Sequence, residues 1–177
     1  MFKLSGKRVL LIGFGARGRA ACRLLCDSGA SVVAVDRKET PGLQEEAKRL
    51  AQLGAEVHLG LAKPDPKLLS SVELGVISVG GMRETDWVRA LRKRDVPVIG
   101  ELELGYQHLR CLNIAVTGTN GKTSTAKLIE QVLVGAQRET RLAGKVNCPA
   151  CDAVADSKEL DYLTLAVNSF QLELTQF

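Results

Sequence analysis

Residues 7–25 read KRVLLIGFGARGRAACRLL: an unbroken apolar run, glycines at 13, 15 and 18, then a helical pattern. An apolar run that is continuous instead of alternating belongs to a strand buried on both faces. Glycine ends it, and helical spacing fills 16–28. Strand, tight turn and helix in that order make a βα unit, which implies parallel strands joined by right-handed crossovers. The unit recurs downstream. SVVAVD (31–36), EVHLG (56–60), LGVISVG (74–80) and VPVIG (96–100) predict further doubly buried strands, each stopping at Gly or Asp. Between them, 43–53 and 84–94 have helical spacing, and Leu43, Ala47, Leu50 and Ala51 form one apolar stripe.

A short helix starting at Glu101 follows the fifth strand, and a boundary is expected at 108/109. CLNIAVTG then opens a second βα series from about 111, with helix 123–136, strand 139–144, short helix 150–156 and strand 161–167. The fold class is therefore α/β. Residues 1–108 form a Rossmann-like parallel sheet, and 109–177 the start of a P-loop α/β ATPase-type domain. The final LTLAVNSFQLELTQF (163–177) ends in a helical pattern without a cap. Three strands alone leave bare apolar edges, so the expectation is an incomplete second domain whose missing C-terminal segments lie in a longer protein.

Composition narrows the function. Of 177 residues, 45% are apolar but only 4% aromatic, so the core is built from Leu, Val, Ile and Ala. The net charge of +4 is mild, and Arg89, Arg92, Lys93 and Arg94 read as a solvated helix face. A nucleic-acid surface needs a basic stripe with stacking aromatics, so no nucleic-acid partner is expected. The longest apolar runs fall far short of a membrane span. Five cysteines, an odd number, and no signal-peptide pattern suit a reducing, cytoplasmic setting. Cys148-Pro-Ala-Cys151 has no second Cys or His pair to complete a metal site, since His58 and His108 are isolated.

Two stretches carry chemistry. In Gly13-Phe-Gly15-Ala-Arg-Gly18 the glycines allow a tight turn, backbone approach to a phosphate and close helix packing, while the helix N-terminus attracts an anion. Asp36 ends the second strand, where an acid bonds a ribose hydroxyl. That fingerprint equally admits a nicotinamide or flavin cofactor. The second stretch, AVTGTNGKTSTAKL (115–128), also lies between strand and helix, but the usual phosphate loop needs glycine at 116, which is Val116. Backbone amides of Gly118, Thr119, Asn120, Gly121 and Ser124 would ring the phosphates of ATP, with Lys122 on the terminal ones. The Thr123 hydroxyl would ligate Mg²⁺. A dehydrogenase needs only the first loop and a simple kinase only the second.

Residues 117–125, TGTNGKTST, are similar to the shortened ATP loop, G-T-x-G-K-[ST], of the Mur ligase family. Ser169-Phe-Gln-Leu-Glu173 resembles the S-F-Q-L-E signature of the branch that joins D-glutamate to UDP-N-acetylmuramoyl-L-alanine. GKRVLLIGFGARGRAACRLL (6–25) and Ile99-Gly-Glu-Leu-Glu103 match the first domain of the same branch. The resemblance implies that the first loop holds a UDP-sugar: Gly13, Gly15, Ala16 and Gly18 approach it, Asp36 and Arg37 lie near uridine, and Ser78 and Gly80 form a turn beside it. Lys145, Asn147, Ser169 and Gln171 fall in the remaining substrate motifs. ATP would convert the substrate carboxylate to an acyl phosphate that the amine of D-glutamate attacks, with Lys122 as the catalytic cation and Mg²⁺ on Thr123.

Three departures stand out. The family's S-P-G reads Ser78-Val79-Gly80, its G-N-I-G reads Gly144-Lys145-Val146-Asn147, and its Mg²⁺-ligating acid falls on Ala166. A methyl group ligates no metal. The family's modified lysine and amino-acid-binding third domain would lie beyond Phe177, so these 177 residues alone are expected to complete no turnover. Two alternatives stay open: a non-catalytic UDP-sugar- or nucleotide-binding relative, and a dinucleotide oxidoreductase that uses only the first loop. A plain structural role for 169–173 would make Phe170 and Leu172 core residues of a strand-to-helix turn.

Overall fold

A computed structural model describes residues 3–78, 84–145 and 147–175. Five strands, β1 (Arg8–Ile12), β2 (Ser31–Val35), β3 (Glu56–His58), β4 (Leu74–Ile77) and β5 (Val98–Gly100), form one parallel sheet in the order β3-β2-β1-β4-β5. Because successive side chains point to opposite faces, the runs divide cleanly. Val9, Leu11, Val32, Ala34 and Val76 pack on one face beneath helix α1 (Ala16–Asp27) and helix α2 (Pro41–Ala51). Leu10, Ile12, Val33, Val35 and Ile77 pack on the other, with Trp87, Val88 and Leu91 of helix α3 (Asp86–Arg92). Both faces are dry, which is why the runs lack alternation.

Helix starts follow local chemistry. The Thr40 hydroxyl accepts from Leu43 N at 3.3 Å, and Pro41 needs no amide partner in the first turn. Helix α2 thus begins before the expected residue 43. Thr85 caps α3 in the same way through Val88 N.

Helix α4 (Glu101–Tyr106) leads to a second parallel sheet. It contains β6 (Leu112–Val116), β7 (Thr140–Ala143) and β8 (Tyr162–Ala166), in the order β6-β8-β7. Helix α5 (Lys122–Gly135) follows β6, helix α6 (Ala150–Ala153) precedes β8, and helix α7 (Ser169–Leu172) follows it. The expected helix 150–156 is shorter than its pattern, with a 3-10 turn at Ser157–Glu159. Buried Ser157 is the cause: its hydroxyl donates to Val154 O at 2.7 Å and accepts from Arg110 N at 3.2 Å, competing with the helical ladder.

The sheets meet along a seam. Leu102 of α4 joins the core of the second sheet, and Cys151 of α6 joins that of the first. Arg23 pairs with Asp152 at 2.8 Å, Cys151 N donates to Glu101 Oε1 at 2.9 Å, and Gly100 N donates to Leu174 O at 3.2 Å. The opposite flank is bare: Leu112 on β6 and Leu128 and Val132 on α5 are at least 60% exposed.

Candidate nucleotide and substrate sites

Loop, turn and cleft converge at the C-terminal end of the first sheet. An added Cβ on Gly18 would lie 2.0 Å from Gly13 O and 2.8 Å from Ser78 Oγ, so only glycine lets α1 start this close to β1. Ser78 Oγ donates to Gly13 O at 2.7 Å, locking the first loop to the end of β4. Asp36 accepts from Phe14 N at 2.6 Å through one oxygen and from Lys38 N at 2.8 Å through the other. Asp36 thus ties the glycine loop to the end of β2 while lining the cleft.

The loop opens into a cleft of about 720 Å³, a volume usual for a small-molecule site. Of the expected residues, Gly13, Gly15, Asp36, Arg37 and Ser78 line it. Ala16 stands beside them as the first residue of α1. Gly18 packs the turn instead of facing the cleft, and Gly80 lies outside the described residues. Lys38, Thr40, Leu61 and Trp87 also line the cleft. Trp87 carried no local signal; its indole N–H is buried without a hydrogen-bond partner among the described residues.

The second loop has the geometry of an anion seat. Gly121, at φ +75°, turns left-handed as the N-cap of α5, a conformation costly for other residues. No side chain caps this fourteen-residue helix, so its first amides are left for a ligand. Thr119, Asn120, Thr123 and Ser124 are exposed around the turn. Lys122 Nζ donates to Gly118 O and to Thr119 O, at 3.3 Å to the latter, which holds the ammonium against the loop. The residues present fit a polyphosphate.

A metal fits less well. Val116, at the exit to the loop, pairs in register with Ala166, whose side chain is buried. Thr123 thus offers a hydroxyl where the neighbouring strand offers a methyl. Among the described residues no cluster of three metal-binding side chains exists.

The third expected group lies between the two loops. Gly144 O accepts from Arg17 Nη2 at 3.3 Å and from Gln171 Nε2 at 3.4 Å. Gln171 also closes a capping box, its side chain accepting from Asn168 N at 3.1 Å while Asn168 Oδ1 accepts from Gln171 N at 2.9 Å. That side chain therefore also fixes the start of α7 against the β7 end of the second sheet. Ser169 is exposed, Lys145 bridges to Cys148 across a tight turn, and Asn147 is exposed in that turn. Phe170 is 48% exposed, so it is no core residue, while Leu172 packs partly against the second core.

Glu101 lies beneath this junction. Burial raises its carboxyl above the ordinary value, opposed by the Cys151 amide and thiol and by Arg17; among the described residues Oε2 has no partner. Burial and the neighbouring Glu101 push the Cys151 thiol well up.

No family model matches the chain. The UDP-N-acetylmuramoylalanine--D-glutamate ligase of Caldanaerobacter subterraneus subsp. tengcongensis is 36% identical over 171 residues, covering 97% of this chain and 38% of the relative. The ligase of the same name from Pelotomaculum thermopropionicum is 39% identical over 167 residues, covering 94% and 36%. The chain thus spans well under half the length of the curated relatives it matches. Among solved structures, the UDP-N-acetylmuramate:L-alanyl-gamma-D-glutamyl-meso-diaminopimelate ligase from Neisseria meningitides superposes with a TM-score of 0.55 at 22% identity, covering 91% of this chain and 52% of that one. A pseudomurein peptide ligase type C from Methanothermus fervidus gives 0.53 at 19%, covering 93% and 33%. These last two speak for the fold alone. Across nearly its whole length the chain is similar in sequence to proteins named UDP-N-acetylmuramoylalanine--D-glutamate ligase, and its fold is shared with solved peptide ligases.

Proposed function

We propose that this chain carries the substrate-binding and ATP-loop portions of a cytoplasmic, ATP-dependent ligase that adds D-glutamate to UDP-N-acetylmuramoyl-L-alanine in peptidoglycan precursor synthesis. Similarity over 97% of the chain to relatives named for that activity is what carries this assignment. Residues 1–108 serve as the UDP-substrate domain and 109–177 as the opening of the ATP domain. The cleft bounded by Gly13, Gly15, Asp36, Arg37 and Ser78 takes the uridine diphosphate, and Lys145, Asn147, Ser169 and Gln171 are assigned to the rest of the substrate by their resemblance to the family's motifs.

A carboxylate is a poor electrophile until one oxygen becomes a phosphate leaving group, which ATP supplies. The chain's share of that step is positioning and charge neutralisation. The amides of Gly118–Ser124 fix the phosphates, and Lys122 offsets charge on the transferred group. For Mg²⁺ the loop offers only the Thr123 hydroxyl, and Ala166 supplies no acid beside it. Ala166 favours a second function, holding the UDP-sugar and nucleotide without catalysis.

Calorimetric titration of the 177-residue chain tests the proposal. UDP-N-acetylmuramoyl-L-alanine and ATP should bind at separate sites, and no amide should form when D-glutamate is added. Tight NADH binding that the UDP-sugar does not displace would overturn it in favour of an oxidoreductase.

A further inference from the structure

Phosphate loops ordinarily share their metal between a loop hydroxyl and an acid at the end of a neighbouring strand. In this chain β8 is that neighbour, and at its C-terminal end Ala166 lies in register with Val116.

Apart from Glu173, which ends α7 just beyond β8, the other carboxylates on this half of the molecule are placed elsewhere. Glu139 lies before β7 beside Asp161, and Glu159 pairs with Lys158. Glu130 stands two turns along α5 from Lys122. Asp161 precedes β8 at the opposite end of the sheet and accepts from Glu139 N. Asp152 and Asp156 are paired with Arg23 and Arg141. The residues outside the described ones (1–2, 79–83, 146, 176–177) contain no Asp or Glu. What the loop does present is positive: the Lys122 ammonium on the Gly118 and Thr119 carbonyls and the uncapped amides of α5.

These observations deepen the ATP-loop assignment above and rest on it. We infer that the loop takes its nucleotide as the metal-free triphosphate, its charge met by Lys122 and the N-terminus of α5. A strand-end carboxylate repels an uncomplexed triphosphate and favours the metal complex; without one that preference disappears. Uncomplexed ATP carries more negative charge than its Mg²⁺ complex, so it gains more from the lysine and the helix dipole.

The test is ATP binding to the 177-residue chain, measured by calorimetry in excess Mg²⁺ and again in excess EDTA. The expected dissociation constant is about tenfold tighter in EDTA, where the triphosphate is uncomplexed, whereas equal constants or tightening with Mg²⁺ overturns the inference. Lys122→Ala should abolish binding in EDTA, and undiminished binding would also overturn it. Ala166→Glu should create a Mg²⁺ preference of about tenfold. If that variant does not fold, the wild-type comparison and Lys122→Ala still decide. Glu173 follows α7, so Glu173→Gln is the control: if it removes a Mg²⁺ preference present in the wild type, Glu173 is the acid and the inference fails. Absence of ATP binding in either buffer would instead overturn the ATP-loop assignment itself.

Discussion

Gly18 shows how one residue sets where a helix can begin. Elsewhere in a helix, Gly→Ala is stabilising by roughly 1 kcal/mol through backbone entropy. Here the new methyl would collide with Gly13 O and Ser78 Oγ. Overpacking of that kind costs about 1–3 kcal/mol and outweighs the gain. Gly18→Ala should therefore lower the denaturation midpoint and weaken UDP-sugar binding together, as read by urea unfolding and calorimetry. A more stable variant with unchanged binding would show that the first loop is not held by this contact. The loop glycines and Lys122 could be picked out from the sequence because their chemistry is local. Asp36 was visible as an acid at a strand end, but not as a clamp on Phe14 N, because that bond depends on how the loop folds back.

The α4–α6 seam is where elements impose a charge state. Glu101, 3% exposed, accepts from Cys151 N while its second oxygen has no partner among the described residues. Because burial raises its carboxyl, the folded state keeps a proton that the unfolded chain has released. The stability present below the ordinary carboxylate value is therefore lost as pH rises through the folded one. Glu101→Gln should flatten that decline: melts in mild acid and mild alkali should show the wild type losing several degrees more than the variant. Equal losses would remove Glu101 as the source. Strands were legible because their runs are unbroken and β-branched, and the early start of α2 was signalled by Thr40-Pro41. The seam was not. Arg17 reaching Gly144 and Glu101 reaching Cys151 join residues far apart in sequence, and no local pattern announces either pair. Helix α6 was overextended because the competing hydroxyl of Ser157 acts through Arg110, across the fold.

Across the whole molecule, the two sheets differ in how well they are covered. The first is dry on both faces; the second leaves Leu112, Leu128 and Val132 in water. Leu128 and Val132 are one helical turn apart, so they share a face. A bare strand edge beside an apolar helix face is an association hazard. Sedimentation should show concentration-dependent self-association, and Leu128→Lys with Val132→Lys should suppress it while changing stability by no more than about 0.5 kcal/mol per site. Unaltered association would place the contact elsewhere.

Among the described residues β6 has a single strand partner, β8, and that order carries a consequence for synthesis. As the chain leaves the ribosome, Gly118–Lys122 emerges long before Tyr162–Ala166 exists to hold β6 in a sheet. The first sheet can close as soon as Gly100 has been made. The phosphate loop must wait, so the first glycine loop is set in a closed sheet before the second one is.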